Sequence, residues 1–305
     1  MQTLKGKSLS WHHFFRPSTA DVIHLERQFK LHPSIINDLA HPTMRPKIEE
    51  HNDYLYLVLH FPIFSPKDRK TYTREVDFIL TKHELISVSN EAIPPLDDFF
   101  KKCSTDTSCE DLYASKTPGH LLFHTLKEIY SFALRELDHI QEDINEVEEK
   151  VFSSEREEEK VIEQLSFIRR NIIEFRRSLK PQQTTLESLP HYGSKYYGHD
   201  VGPLLSELIG EYMKIWNLLE NHREAIDALY DNNVTMLSIK QNESMRVLSI
   251  MAFVTFPLVL FASLFGMNAI ATPLIGYKYD FWIIVVIMLL AAFGMFRFFK
   301  RKRWL

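Results

Sequence analysis

Residues 247–265 read VLSIMAFVTFPLVLFASLF, nineteen positions without a charge. An α-helix rises about 1.5 Å per residue, so roughly twenty residues cross a hydrocarbon core of about 30 Å. A second run, FWIIVVIMLLAAFGMF at 281–296, adds sixteen uncharged positions a short loop later. Both are long enough to cross a bilayer, which makes the chain a two-span membrane protein. Whole-chain averages hide this: 45% hydrophobic and 25% charged residues over 305 positions, with net charge −4, describe an ordinary soluble protein of one or two domains.

Charge placement orients the spans. Lys240 and Arg246 precede the first, and Arg297, Lys300, Arg301, Lys302 and Arg303 follow the second, whereas the loop at 266–280 carries Lys278 and Asp280. By the positive-inside rule both termini are expected in the cytosol and residues 266–280 outside; the expected location is the plasma (inner) membrane. Residues 1–5 show no apolar stretch of signal-peptide type, so no cleavable signal is expected. Cys103 and Cys109 then face a reducing compartment. With five residues between them and no second pair, they read as ordinary thiols and not a zinc site.

Upstream, the pattern predicts an α+β domain over 1–117, a mixed sheet with helices. Residues 54–59 read as a strand ending before Pro62, 76–80 and 85–88 as a hairpin around Lys82-His83-Glu84, and 19–29 and 33–39 as helices. Residues 118–180 form a helical hairpin. Leu122, Leu126, Ile129, Leu137, Ile144 and Val151 follow a 3.6-residue period, while Glu142, Asp143, Glu146, Glu148 and Glu149 make the other face acidic. Such a charge run is either a solvated face or a device that concentrates cations. Ser154 is the candidate N-cap of the second helix, and Pro181 is expected to end it. Glycines and tyrosines at 191–202 predict a linker.

A stalk helix follows over 203–246. Leu208, Tyr212, Ile215, Leu219, His222, Ile226, Leu229, Asn233, Met236 and Lys240 keep heptad spacing, so the helix packs along a neighbour, with copies of itself as the candidate. No break precedes Val247. Stalk and first span thus read as one helix of some sixty residues, on the order of 90 Å long.

At the outer end of the first span stands Phe265-Gly266-Met267-Asn268, and the basic tail 297–303 closes with Trp304-Leu305. Leu31-His32-Pro33, Asn37-Asp38-Leu39 and Arg45-Pro46-Lys47-Ile48-Glu49 precede the strand at Tyr54. Together these resemble the CorA family of magnesium channels, whose signature at this place is Tyr-Gly-Met-Asn. The resemblance implies a funnel-shaped homopentamer in which the stalk continues into a pore-lining helix and the second span faces lipid. It implies that Asn268, within the selectivity motif Gly266-Met267-Asn268, meets the hydrated cation in an outer ring. By the same resemblance, a basic ring of Lys300, Arg301, Lys302 and Arg303 is expected around the inner mouth. Divalent ions bound between cytosolic domains are likewise expected to close the channel, at carboxylates placed here at Glu207 and Asp97. Two departures are visible. Phe265 replaces the customary Tyr, and Ala271-Thr272-Pro273-Leu274 replaces Met-Pro-Glu-Leu, leaving Asp280 as the external acid.

The residues themselves support ion conduction. Asn242, Met245, Ser249, Ala252, Phe256, Val259 and Ser263 form one uncharged face of the first span. Mg2+ dehydrates reluctantly, and a lining without carboxylates passes it with its water retained. Phe256, Met245 and nearby Leu248 are candidates for an apolar constriction, although such residues also pack helix on helix. Mg2+ is expected as both the transported and the regulatory ion, with Co2+ and Ni2+ as further substrates and no organic cofactor. Moving a divalent ion inward is favoured by roughly 4.6 kcal/mol per 100 mV, and no phosphate-binding glycine loop is present. Alternatives are a zinc-transporting member of the same fold and a non-conducting coiled-coil scaffold. An enzyme is not expected, since no nucleophile elbow or nucleotide fingerprint occurs. His120 and His124 lack the following Glu of a metalloprotease helix and read as structural. The basic tail abuts a span, so anionic lipid and not nucleic acid is its expected partner.

Overall fold

The computed structural model describes residues 1–6, 8–105, 109, 116–153, 157–267, 275–276 and 278–302. The chain forms two compact units, Met1–Tyr230 and Asp231–Leu305. In the first, strands β1 (Gln2–Lys5), β2 (Ser10–Phe15), β3 (Lys47–Glu50), β4 (Leu55–Ser65), β5 (Lys70–Leu80) and β6 (Glu84–Ser89) form a mixed sheet. Its order is β1-β2-β6-β5-β4-β3. The pair β2–β6 is parallel, with Trp11 opposite Leu85, and the other neighbours are antiparallel.

Both faces of this sheet are covered. Leu55, Leu57, Leu59 and Phe61 of β4 join a core with Phe78, Leu122 and Leu126. Tyr56 and Val58 point the other way, into a core with Leu25, Ile35 and Leu39. The latter come from α1 (Thr19–Phe29) and α2 (Pro33–Ala40), where α1 is opened by a reciprocal capping box of Ser18 and Asp21. A strand buried on both faces is apolar at every position, which is why residues 54–59 show no alternation. Contrary to expectation, β4 runs through Pro62 to Ser65. Strand β3 pairs only with residues 55–58, so Pro62 lies where β4 has become an edge and its missing N–H deprives no neighbour.

The helices that follow are α3 (Pro94–Thr105), α4 (Pro118–Phe152), α5 (Glu158–Leu179), α6 (Gln183–Tyr197), α7 (Val201–Phe265) and α8 (Asp280–Arg301). Helix α5 has Glu157 at its N-cap, and Ser154 lies outside the described residues. Helix α5 ends at Leu179, as expected, two positions before Pro181. Pro181 sits in one 3-10 turn, Lys180–Gln182, that leads into α6. Most of the expected linker at 191–202 is therefore helix, and the chain breaks only at Gly198, whose φ of +99° suits glycine. Gly193 serves close packing instead: a Cβ there would lie 2.3 Å from Leu205 Cδ1.

A second correction concerns the heptad stripe. Leu208, Tyr212, Ile215, Leu219, Ile226 and Leu229 are buried in the core of their own chain, together with residues of α4 and α5. The buried His222 is seated by its Nε2, which donates to the Leu137 carbonyl at 3.1 Å. An amphipathic stripe demands a neighbour, and the hairpin of the same chain supplies it. Helix α7, whose residues from Asp231 onward belong to the second unit, and α8 are each long and apolar enough to cross a membrane, with almost none of their most apolar stretches buried.

Candidate ion path and regulatory carboxylates

At about 100° per residue, Asn242, Met245, Ser249, Ala252, Phe256, Val259 and Ser263 share one side of α7. On the flank of that side the Phe253 ring lies 6.5 Å from Phe299, and opposite it Val254 borders an apolar cavity with Val286, Leu290 and Phe293 of α8. Helix α8 thus leaves the uncharged face open. Phe256 is 72% exposed and Val259 60%, and Met245 and Leu248 are likewise exposed. The Ser249 hydroxyl donates to the Met245 carbonyl at 2.8 Å, which satisfies it inside an apolar helix.

Helix α7 ends where the Gly266 N–H bonds to the Ala262 carbonyl at 3.0 Å, and Met267 is exposed just beyond. Asn268 lies outside the described residues, as do 269–274 of the expected external loop. Asp280 is held in place: its carboxylate accepts from the Gly276 N–H at 3.1 Å and the Phe281 N–H at 2.7 Å. It neutralises orphan donors at the start of α8. At the other end, Lys300 and Arg301 close α8 and Lys302 caps it. Arg303 lies outside the described residues.

Both carboxylates expected to be regulatory already have partners within the chain. Glu207, half-exposed on α7, accepts from Lys127 Nζ of α4 at 2.7 Å, and this hydrogen bond raises the lysine's pKa. Asp97, in the first turn of α3 and 27% exposed, accepts from His13 Nε2 at 3.1 Å. The imidazole is itself fixed. Trp11 Nε1 donates to Ser87 Oγ at 3.0 Å, His13 Nδ1 lies 2.9 Å from the same hydroxyl, and the Asp97 carboxylate, which only accepts, takes the proton on Nε2. Lys127 and His13 escaped the sequence reading because each is more than 75 positions from its partner, at separations of 80 and 84. Among the described residues, no three His, Cys, Asp or Glu side chains gather to hold a metal.

His120 is structural. Its Nδ1 lies 2.9 Å from Thr117 Oγ1 and its Nε2 3.6 Å from Asp200, and burial lowers its pKa and that of His124. Cys103 and Cys109 are buried and not joined in a disulfide.

A mixed-sheet unit, a helix of 65 residues ending in an apolar segment and a second apolar helix define an integral membrane protein with an uncharged helix face. The sequence matches the family model described as CorA-like Mg2+ transporter protein over residues 6–301, and the chain belongs to that family of divalent-cation transporters. It is 24% identical over 277 residues to the cobalt/magnesium transport protein CorA of Thermotoga maritima, covering 91% of this chain and 78% of that protein. Identity to the cobalt/magnesium transport protein CorA of Methanocaldococcus jannaschii is 20% over 297 residues, 97% of this chain and 92% of the relative. The complete structure of the CorA magnesium transporter from M. jannaschii has the same fold: the TM-score is 0.85 at 19% identity, over 98% of this chain and 92% of that one. A full-length CmaX structure matches at a TM-score of 0.75, with 19% identity over 100% and 91% of the two chains.

Proposed function

We propose that copies of this chain, arranged as a homopentamer in the plasma (inner) membrane with both termini cytosolic, conduct Mg2+ passively inward along the membrane potential. The observation that carries this reading is the uncharged face of α7, which α8 leaves open. Turned toward a common axis, Asn242, Ser249, Ala252 and Ser263 offer polar and small surfaces to a hydrated ion. Met245, Leu248, Phe256 and Val259 narrow the path where it must dry to close. Gly266-Met267-Asn268 stands at its outer end, where the Asn268 amide oxygen accepts hydrogen bonds from the ion's water shell. Co2+ and Ni2+ follow as further substrates, since such a path reads hydration and charge. The cobalt/magnesium names of the relatives agree.

Cytosolic Mg2+ closes the path by binding between subunits. Mg2+ keeps several waters and takes one or two carboxylates, so a half-exposed Glu207 meeting an acid of the next subunit fits it. Asp97, more buried and engaged by His13, is the second proposed acid. Lys300, Arg301, Lys302 and Arg303 form the basic ring at the inner mouth and meet anionic lipid heads.

The test is Mg2+ influx into liposomes holding the purified protein under an inside-negative potential, with Asn268→Ala and Zn2+ in parallel. Potential-driven Mg2+ flux, lost in intact Asn268→Ala oligomers, is the expected outcome. Zn2+ flux without Mg2+ flux would identify a zinc transporter, and no flux of either would leave a scaffold.

A further inference from the structure

A cavity of about 670 Å³ opens in the first unit between the α2–β3 loop, strands β4 and β5, and helix α5. It is far larger than a hydrated ion needs and falls within the range of small-molecule pockets. Nothing in the transport reading uses it.

Its wall is built. The Thr43 N–H donates to Glu75 Oε2 at 2.7 Å, and His60 Nε2 donates to the Thr43 carbonyl at 3.0 Å, so the α2–β3 loop is fastened to the sheet. Three cations line the cavity from three separate segments: Arg45 on the loop, Lys70 on β5 and Arg177 on α5. Among the described residues none of the three makes an ion pair, and Lys70 rests against the Tyr72 ring at 5.4 Å. Two of the three lining acids are already committed. Glu91 pairs with Arg74, and Glu75 Oε2 is taken by Thr43 and lies 3.4 Å from His60. Arg74 cancels the Glu91 charge, so Arg45, Lys70 and Arg177 face the charges of Glu75 and Glu174, and the walls keep a net positive charge of about one.

Two polar atoms add a second kind of signal. Thr43 Oγ1 and Glu75 Oε1 are buried and have no hydrogen-bond partner. Buried polar atoms are rarely left so.

We infer that this cavity binds a phosphate-bearing organic molecule of about nucleotide size. Guanidinium forks such as Arg45 and Arg177 match phosphate oxygens two at a time, and Lys70 adds a point charge. Arg45, Lys70 and Arg177 outnumber the acids left facing them, Glu75 and Glu174, which favours an anion. The volume beside the cations leaves room for the organic portion, which inorganic phosphate lacks.

The experiment is calorimetric titration of the purified full-length protein in detergent with ADP, pyrophosphate and sulfate, at matched ionic strength and without Mg2+. ADP is expected to bind below millimolar, tighter than pyrophosphate, with sulfate silent. Arg45→Gln and Arg177→Gln should each weaken ADP at least tenfold while the unfolding temperature of the ligand-free protein stays unchanged. Lys70→Gln serves if either variant fails to fold. Heat from sulfate equal to that from ADP, binding that ignores all these substitutions, or no binding at millimolar ADP would overturn the assignment. None of these readouts depends on ion flux, so transport and ligand binding stand or fall separately.

Discussion

Lys127 and Glu207, 80 positions apart, meet across 2.7 Å and tie α4 to α7. A cation that takes Glu207 must take it from this ammonium. Exposed ion pairs are worth about 0.2–1 kcal/mol, so Lys127→Met should lower the internal Mg2+ that half-inhibits flux by up to roughly fivefold. Glu207→Gln should raise it. Dye-monitored flux at graded internal Mg2+ measures both, and an unmoved midpoint in the two variants would place the inhibitory site elsewhere.

The apolar positions of the α7 face make a second prediction. If the path closes by drying at Met245 and Leu248, wetting those positions must hold it open. Met245→Ser and Leu248→Asn should therefore leak Mg2+ at internal concentrations that silence the parent protein. A leak no larger than the parent's would remove these residues from the gate.

Asp77 is buried in the sheet and accepts a hydrogen bond from the Tyr56 hydroxyl at 2.6 Å. Burial first, then the charge of Glu75, raises its pKa well above the usual carboxylate range. The folded chain therefore keeps a proton that the unfolded chain releases near pH 3.9. Its stability is fullest below that pH and declines as pH climbs toward the raised value. Asp77→Asn keeps the acceptor and removes the titration, so its advantage in unfolding temperature should be larger at pH 8 than at pH 5. An advantage that shrinks with pH would contradict the assignment.

Two glycines make opposite predictions. At Gly193 a Cβ would press on Leu205, so Gly193→Ala should cost about 1–3 kcal/mol. Nothing lies within 4 Å of the corresponding point at Gly210, inside α7. Gly210→Ala should stabilise by about 0.4–1 kcal/mol through the unfolded chain's lost freedom. Thermal unfolding of the two variants side by side checks the pair, and equal shifts would refute the packing argument.

What could be read directly from the sequence was whatever depends on neighbours along the chain. The spans were legible because run length is compared with a fixed bilayer thickness. Helix α1 was legible because Ser18 and Asp21 cap it locally, and the β5–β6 hairpin because its strands adjoin. Strand β2 was not, since its partner β6 lies more than 70 positions away: His13 bonds Ser87 across a separation of 74. Helix α6 was misread because glycine and tyrosine signal a turn when only composition is seen, whereas Gly193 is there to let Leu205 approach.

The site divides in the same way. Sequence alone determined that α7 carries an uncharged face, because helical period and residue type suffice to define a stripe. Only the tertiary structure decided what each stripe meets: Leu208 to Leu229 close against the hairpin of their own chain, while the face from Met245 to Ser263 remains open beside α8. Periodicity reports that a surface needs covering, but the partner is chosen by the path of the backbone through space. The same reason joins Lys127 to Glu207 and His13 to Asp97, contacts that no spacing in the sequence encodes.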